Sequence, residues 1–336
     1  GNVFPTDSDG RAVDEFGSVG LTAKALISKT EFRYGTLVPM LPVVMSTDRM
    51  LQQTFNGGQV QSKDIDNFTF TLGQLEHVKG RGSSNQMGMS IPGANNAVTG
   101  EFVNKFYYGG VDYKPTKDLL LQYYYGNLED FYKQSFLGLK YDLPVGPGTL
   151  RSDLRYFDNK SDGANGNDPA FYTLGYYGNG VTKGKVDSRL SSAFFTYMVS
   201  GHTIGAGFQQ VSGDSDAVWL NQGDGSTAYF MTESMIGKFQ RAGESTWQVR
   251  YGYDFAQVGI PGLSFLGMYE SGSNIRTPTG DTKEWERNLT VSYVVQSGPL
   301  KKLNVQLRHA SLRTEVTTQR DSDEHRVIVS YPLDIL

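Results

Sequence analysis

Apolar and polar residues alternate along most of this chain, the mark of strands whose two faces meet different surroundings. In 119–126, Leu119, Leu121, Tyr123 and Tyr125 share one face, while Leu120, Gln122, Tyr124 and Gly126 share the other. Read at this period, the chain gives about fifteen strands. They are 18–28, 29–38, 57–65, 68–79, 104–114, 119–130, 131–144, 148–160, 185–200, 203–213, 244–256, 263–273, 283–296, 301–315 and 324–336. Most come close to the roughly 9–11 residues that a tilted strand needs to cross a bilayer.

Short turns alternate with long connections for most of the length. Asp66-Asn67, Pro115-Thr116-Lys117-Asp118 and Gly201-His202 supply turn chemistry. The segments 81–99 and 214–243 read as external loops. Transmembrane barrels keep that asymmetry, and a soluble sandwich has no reason to. The expected fold is all-β: one transmembrane antiparallel barrel domain over 1–336, in the outer membrane of a Gram-negative bacterium. Fifteen strands is an odd count, whereas closed bacterial barrels have an even one. Residues 1–11 read as an internal start, so N-terminal strands are expected to be missing.

Composition sharpens this. Hydrophobic residues make up 38% and no run of eighteen apolar residues occurs, which excludes a helical membrane protein. Mean hydropathy is −0.40. Twenty Tyr, 19 Phe and 40 Gly suit many strands, many turns and an interfacial surface. No cysteine is present, so the backbone ladder must hold the fold. A net charge of −4 argues against nucleic acid as a partner. Four histidines, His77, His202, His309 and His325, stand without a nucleophile at a telling spacing, and no metal-ligand cluster appears. Neither catalysis nor a cofactor or metal is expected. A barrel enzyme and a structural barrel are the distant alternatives.

One segment breaks the alternation. In 36–56 two prolines interrupt an apolar run that therefore cannot be a ladder strand. This segment is expected to fold into the barrel and narrow it, through Pro39, Met40, Leu41, Pro42, Val43, Asp48, Arg49, Met50 and Leu51. Packing of the apolar ones against the wall is the plainer reading of each.

Strand parity also places cations inside. In 247–254, Trp247, Val249, Tyr251 and Tyr253 face lipid, leaving Gln248, Arg250 and Asp254 inward. The same argument turns Arg151, Asp153, Arg155, Arg308 and Arg326 inward, with Lys24 and Arg33 on the first two strands. Arginine and lysine lining a pore select anions, and guanidinium binds carboxylates in bidentate fashion. Pairing with Asp153, Asp254 or loop carboxylates is the alternative for each arginine.

These features resemble the OprD family of substrate-specific outer-membrane porins. The likeness lies in ISKTEFRYGTLVPMLPVV (27–44), NLEDFYKQSFLG (127–138), STWQVRYGYDFAQVGIPGLSF (245–265), YVVQSGP (293–299) and RVIVSYPLDIL (326–336). The resemblance implies an eighteen-stranded monomeric pore, a loose trimer being the alternative, set among outer-membrane lipid and lipopolysaccharide. It implies that 36–56 is the eyelet loop, and that a basic ladder leads carboxylates past it. Arg33, Arg155, Arg250, Arg308 and Arg326 fall on family basic positions. Leu26 departs from the arginine of relatives, and Gln306 replaces an arginine found in some. One branch takes basic amino acids and needs an acidic pocket; the other, benzoate-type, takes aromatic carboxylates. The short segment 271–285 offers only Asp281 and Glu284, and the eyelet is apolar. Both favour the BenF-like branch, with basic amino acids and peptides as the alternative substrates.

Overall fold

The computed structural model describes residues 11–14, 17, 19–46, 52–90, 102–167, 185–220, 227–277 and 279–332. Its first strands are β1 (Thr22–Ile27) and β2 (Thr30–Leu37), followed by a small pair, β3 (Met40–Leu41) and β4 (Val44–Met45). Then come β5 (Thr54–Ser62), β6 (Phe68–Lys79), β7 (Phe106–Thr116), β8 (Leu119–Leu128), β9 (Tyr132–Val145) and β10 (Gly148–Ser161). The series ends with β11 (Asp187–Val199), β12 (His202–Gly213), β13 (Ser245–Asp254), β14 (Leu263–Thr277), β15 (Gly280–Val294), β16 (Asn304–Thr314) and β17 (Ser322–Ser330). All but β3 and β4 form one 15-stranded sheet in chain order, with β1 and β17 at its two ends. Each strand runs antiparallel to its neighbours, as in β1–β2 and β16–β17.

All fifteen strands expected from the alternation are present, with shifted bounds. Most of the connection expected over 274–282 is instead the continuing hairpin of β14 and β15, kinked by a register shift between Gly272 and Ile275. The last strand stops at Ser330, just before Pro332, which has no N–H to give a ladder.

One face of the sheet is covered from inside. Side chains of β9, β10, β12, β13, β15 and β17 all bond the segment 214–243: Gln134 reaches Val218 O, Arg155 Ala228 O, Gln209 Phe239 O, Arg250 Met231 O, Glu286 Gly237 N and Arg326 Met235 O. A single short segment can touch one face of strands so far apart only if the sheet wraps around it. Of the connection 214–243, expected as an external loop, the described residues 214–220 and 227–243 fold back against the inner face of the sheet. Its apolar residues explain why: Val218, Trp219, Leu220 and Phe230 are buried. Phe230 meets Phe157 edge-on at 5.4 Å and Trp219 at 5.9 Å, and Phe157 meets Phe136 at 4.7 Å. Within 81–90, Met87 bridges Val78 and Met89 bridges Val103. The rest of 81–99 lies outside the described residues.

The opposite face carries exposed apolar side chains, among them Leu137, Phe195, Ile204, Phe208, Val249, Leu307 and Val327. Aromatic rings mark its two borders, as lipid-facing belts do. Trp247, Tyr269 and Trp285 lie side by side toward the long-loop end, with centroids 5.3 and 5.8 Å apart. Tyr253 and Phe255 meet at 4.9 Å toward the short-turn end.

Glycines make room for rings on the inner face. Tyr108 lies over Gly73 on the neighbouring strand, and its hydroxyl donates to Gln59 Oε1 at 3.0 Å. A Cβ at Gly73 would meet that ring. Gly73→Val is expected to destabilise the barrel by about 1–3 kcal/mol, the usual cost of overpacking. Denaturant unfolding in detergent, followed by Trp fluorescence, measures it; Thr71→Val nearby would not mimic the ring displacement.

Candidate functional site

Among the described residues, two segments enter the space enclosed by the sheet. The first lies within 36–56. Pro39 cannot extend the β2 ladder, and Pro42 opens the turn of the β3–β4 hairpin, which Ser46 N closes by donating to Pro39 O at 2.8 Å. Pro39, Pro42, Val43 and Val44 are buried, Leu41 is half-buried and Met40 is exposed. A Cβ on Gly126 would touch Val43, which places the hairpin against the inner wall of β8. Residues 39–46 are thus folded inward as a hairpin, where a loop without regular structure was expected. Asp48, Arg49, Met50 and Leu51 lie outside the described residues.

The second is 214–243, held by wall side chains. Glu286 accepts from three successive backbone N–H groups, Met235 and Ile236 at 3.1 Å each and Gly237, and from Ser234 Oγ at 3.1 Å. Arg241 is buried, pairs with Glu284 at 2.7 Å and donates to Gln319. Breaking a buried pair of this kind costs about 3–5 kcal/mol. Glu244 accepts from Arg241 N at 2.9 Å, and Asp216 from Ala242 N at 2.7 Å. The two inward segments touch where Tyr229 donates to Met40 O at 3.2 Å.

All seven cations chosen from parity lie on this inner face. Lys24 stands opposite Arg33 across β1–β2, and Arg308 opposite Arg326 across β16–β17. The arginines are hydrogen-bonded in a pattern that alternation alone did not reveal. Arg33 bonds Glu31, and Arg155 holds Asp153 in bidentate fashion at 2.7 and 2.6 Å. Arg250 bonds Gln248, Arg308 bonds Gln306 at 3.1 and 2.8 Å, and Arg326 grips Glu324 at 2.6 and 2.8 Å. Each partner lies two residues earlier, on the same face. Arg151 differs, taking Asp142 across the β9–β10 ladder at 2.7 Å through two nitrogens. Asp254 instead caps the turn after β13 by accepting from Ala256 N at 2.9 Å. The signal for these partners was in the sequence as an acid or amide two positions before an arginine.

Between Arg155 and Arg250 the wall and the second segment leave a recess of about 90 Å³. Asp153, Ser192, Phe194, Ala228, Phe230 and Met231 complete its lining. The Arg250 guanidinium lies 4.9 Å from the centre of the Phe194 ring, and Arg155 lies 5.6 Å from that of Tyr229. Phe194 is itself seated over Gly205 and Gly207.

The profile of outer membrane porins of the OprD family matches residues 1–335. The chain belongs to the OprD family. Among solved relatives it is similar to Pseudomonas aeruginosa OccK8 (OprE), at 56% identity and a TM-score of 0.92 over 99% of this chain and 84% of that one. It is similar to a BenF-like porin from Pseudomonas fluorescens at 35% identity and a TM-score of 0.88, covering 99% and 81%. It is also similar to P. aeruginosa OpdK, solved with vanillate, at 35% identity and a TM-score of 0.87, covering 98% and 83%. This OprD-family chain is an outer-membrane β-barrel, and its relatives are channels rather than enzymes. Its inner wall carries the geometry of a path. Among the described residues a Ser–His contact, Ser311 Oγ to His309 Nε2 at 3.2 Å, lies on the lipid-facing side, where His309 stacks on His325.

In this OprD-family barrel the anchorage of 214–243 is tied to proton binding. Burial pushes Asp216 up to about 7 and Glu244 well above the ordinary carboxylate range, with Glu284 adding to both. A carboxyl raised in the packed state binds its proton more tightly there than when released into water. Its contribution is full below about pH 4, the ordinary carboxylate value, and is lost as pH rises through about 7. The segment is expected to be held tightly at pH 5 and to loosen toward pH 8.5, with larger and noisier single-channel conductance at the higher pH. Asp216→Asn keeps the Ala242 bond without the titrating proton, and should flatten part of that pH dependence.

Proposed function

We propose that this chain passes small carboxylate-bearing solutes, specifically aromatic monocarboxylates of the benzoate kind, along the inner-wall cations and past the apolar hairpin. The observation that carries the reading is the recess between Arg155 and Arg250. Guanidinium never deprotonates at relevant pH and matches a carboxylate with paired N–H donors. Arg250 lines the recess, and its hydrogen bonds among the described residues run through Nε and Nη2, which leaves Nη1 as a donor for an anion. Phe194 and Phe230 supply aromatic faces beside it, where a planar ring stacks. Vanillate, found with OpdK, is an aromatic carboxylate and supports the same chemistry. The hairpin β3–β4 then acts as the constriction, with Met40 as its exposed apolar side chain.

The alternative substrates, basic amino acids and peptides, need carboxylates free to take a cation. Three inner-wall acids on β14 and β15 are committed otherwise: Glu286 to the backbone of 235–237, Glu284 to Arg241, and Glu270 to Gln248 at 2.7 Å. All three are buried. This disfavours the basic branch.

Single-channel recording in a planar bilayer tests the reading. Benzoate should produce blocking events and arginine should not; the reverse result would place the substrate in the basic class. Arg250→Ala should weaken benzoate block about ten-fold or more, the value of a lost charge-assisted hydrogen bond. Arg308→Ala combined with Arg326→Ala should lower anion selectivity while the barrel stays folded, and an unchanged reversal potential would remove those two side chains from the path.

A further inference from the structure

The inner-wall cations occur in clusters whose charges can be counted. On β1–β2, Lys24 and Arg33 face one carboxylate, Glu31. On β9–β10, Lys140, Arg151 and Arg155 pair with two, Asp142 and Asp153. On β16–β17, Arg308 and Arg326 share the wall with one, Glu324. Each cluster has one cation more than it has carboxylates. Arginine keeps its proton, so a cluster's charge depends on the partner residue and not on titration of the guanidinium.

The third cluster shows how the surplus is made. Arg326 lies on a carboxylate, Glu324, and the pair is neutral. Arg308, directly opposite, adopts the same folded-back pose on the carboxamide oxygen of Gln306 and stays charged. No carboxylate stands behind Gln306 among the described residues, whereas Gln248 beneath Arg250 leads on to Glu270. Glutamine and glutamate have the same shape. A carboxamide therefore orients the guanidinium as a carboxylate would, without cancelling its charge.

We propose that Gln306 is a selectivity-determining positioning residue: it aims Arg308 at the lumen while leaving the β16–β17 cluster with its single positive charge. Glu324 is the matching residue that limits the cluster to one. This rests on the anion path proposed above and assigns its charge selectivity to the partners of the arginines rather than to the arginines alone.

The test is the reversal potential of the purified protein in planar bilayers under a KCl gradient. The variants are Gln306→Glu, Glu324→Gln and the two combined. A unit charge about 10 Å from a passing ion in water changes its weight by about two-fold, in opposite senses for anion and cation. Gln306→Glu should therefore lower the chloride-to-potassium permeability ratio about two- to four-fold, and Glu324→Gln should raise it as much. The combined variant restores the charge count with the partners exchanged, and should return the ratio to that of the parent, which a merely structural role for either residue would not do. If either single variant fails to assemble, Glu31→Gln makes the same change in the β1–β2 cluster and should raise the ratio. An anion-selective parent whose ratio is unmoved by the variants that assemble overturns the inference and leaves the path standing. A parent that is not anion-selective overturns the path itself, and this inference with it.

Discussion

Irregular backbone inside a barrel must have its N–H and C=O groups bonded, and that requirement organises this molecule. The segment 214–243 has no ladder of its own among the described residues, so the wall supplies many of its partners. The wall carboxylate Glu286 takes the N–H groups of 235–237, and within the segment Asp216 takes that of Ala242. Arginines take its carbonyls, as Arg155 does at Ala228, Arg250 at Met231 and Arg326 at Met235. Three of the side chains that parity turns inward are thus also fastenings of the inward segment. The several N–H donors of a guanidinium leave room for such structural pairing together with the solute contact proposed above.

Two sets stand out among the described acids of the inner wall. Glu244, Glu284 and Glu286 are buried under the inward segment and hold it in place. Glu31, Asp142, Asp153 and Glu324 keep some contact with the lumen and each holds an arginine in a fixed pose. Pairs of the second kind add little to stability, about 0–1 kcal/mol each. Their effect is geometric and electrostatic: they hold long side chains flat along the strand and set the net charge of the wall.

Strands and faces were legible in the sequence because period two is a local property. Trp247, Val249 and Tyr251 announce their lipid face, and with it the inward direction of Arg250, with no tertiary knowledge. The inward course of 214–243 was not legible in that way. Period two says nothing of irregular segments, and the abundance of Asp, Gly and Asn there pointed to solvent. The contrary signal was the apolar run Ala217–Val218–Trp219–Leu220, which no exposed loop needs. The partners of the arginines were hidden for another reason. Parity sorts residues to a face but does not say which neighbour a flexible guanidinium chooses. The repeated spacing Glu31-x-Arg33, Asp153-x-Arg155, Gln248-x-Arg250, Gln306-x-Arg308 and Glu324-x-Arg326 would have said so.

That spacing bears on how such a wall can change its preference. Directly opposed cations such as Arg308 and Arg326 repel, and a wall of bare guanidiniums would be hard to keep in register. A partner two residues back relieves the crowding by drawing each head group along its own strand. Whether that partner is an acid or an amide makes little difference to the pose, since both offer an oxygen at the same reach. It makes a full unit of difference to the charge. A barrel of this construction can therefore move between nearly neutral and distinctly anion-attracting interiors by acid–amide exchanges, with its arginines, its register and its inward segment left in place.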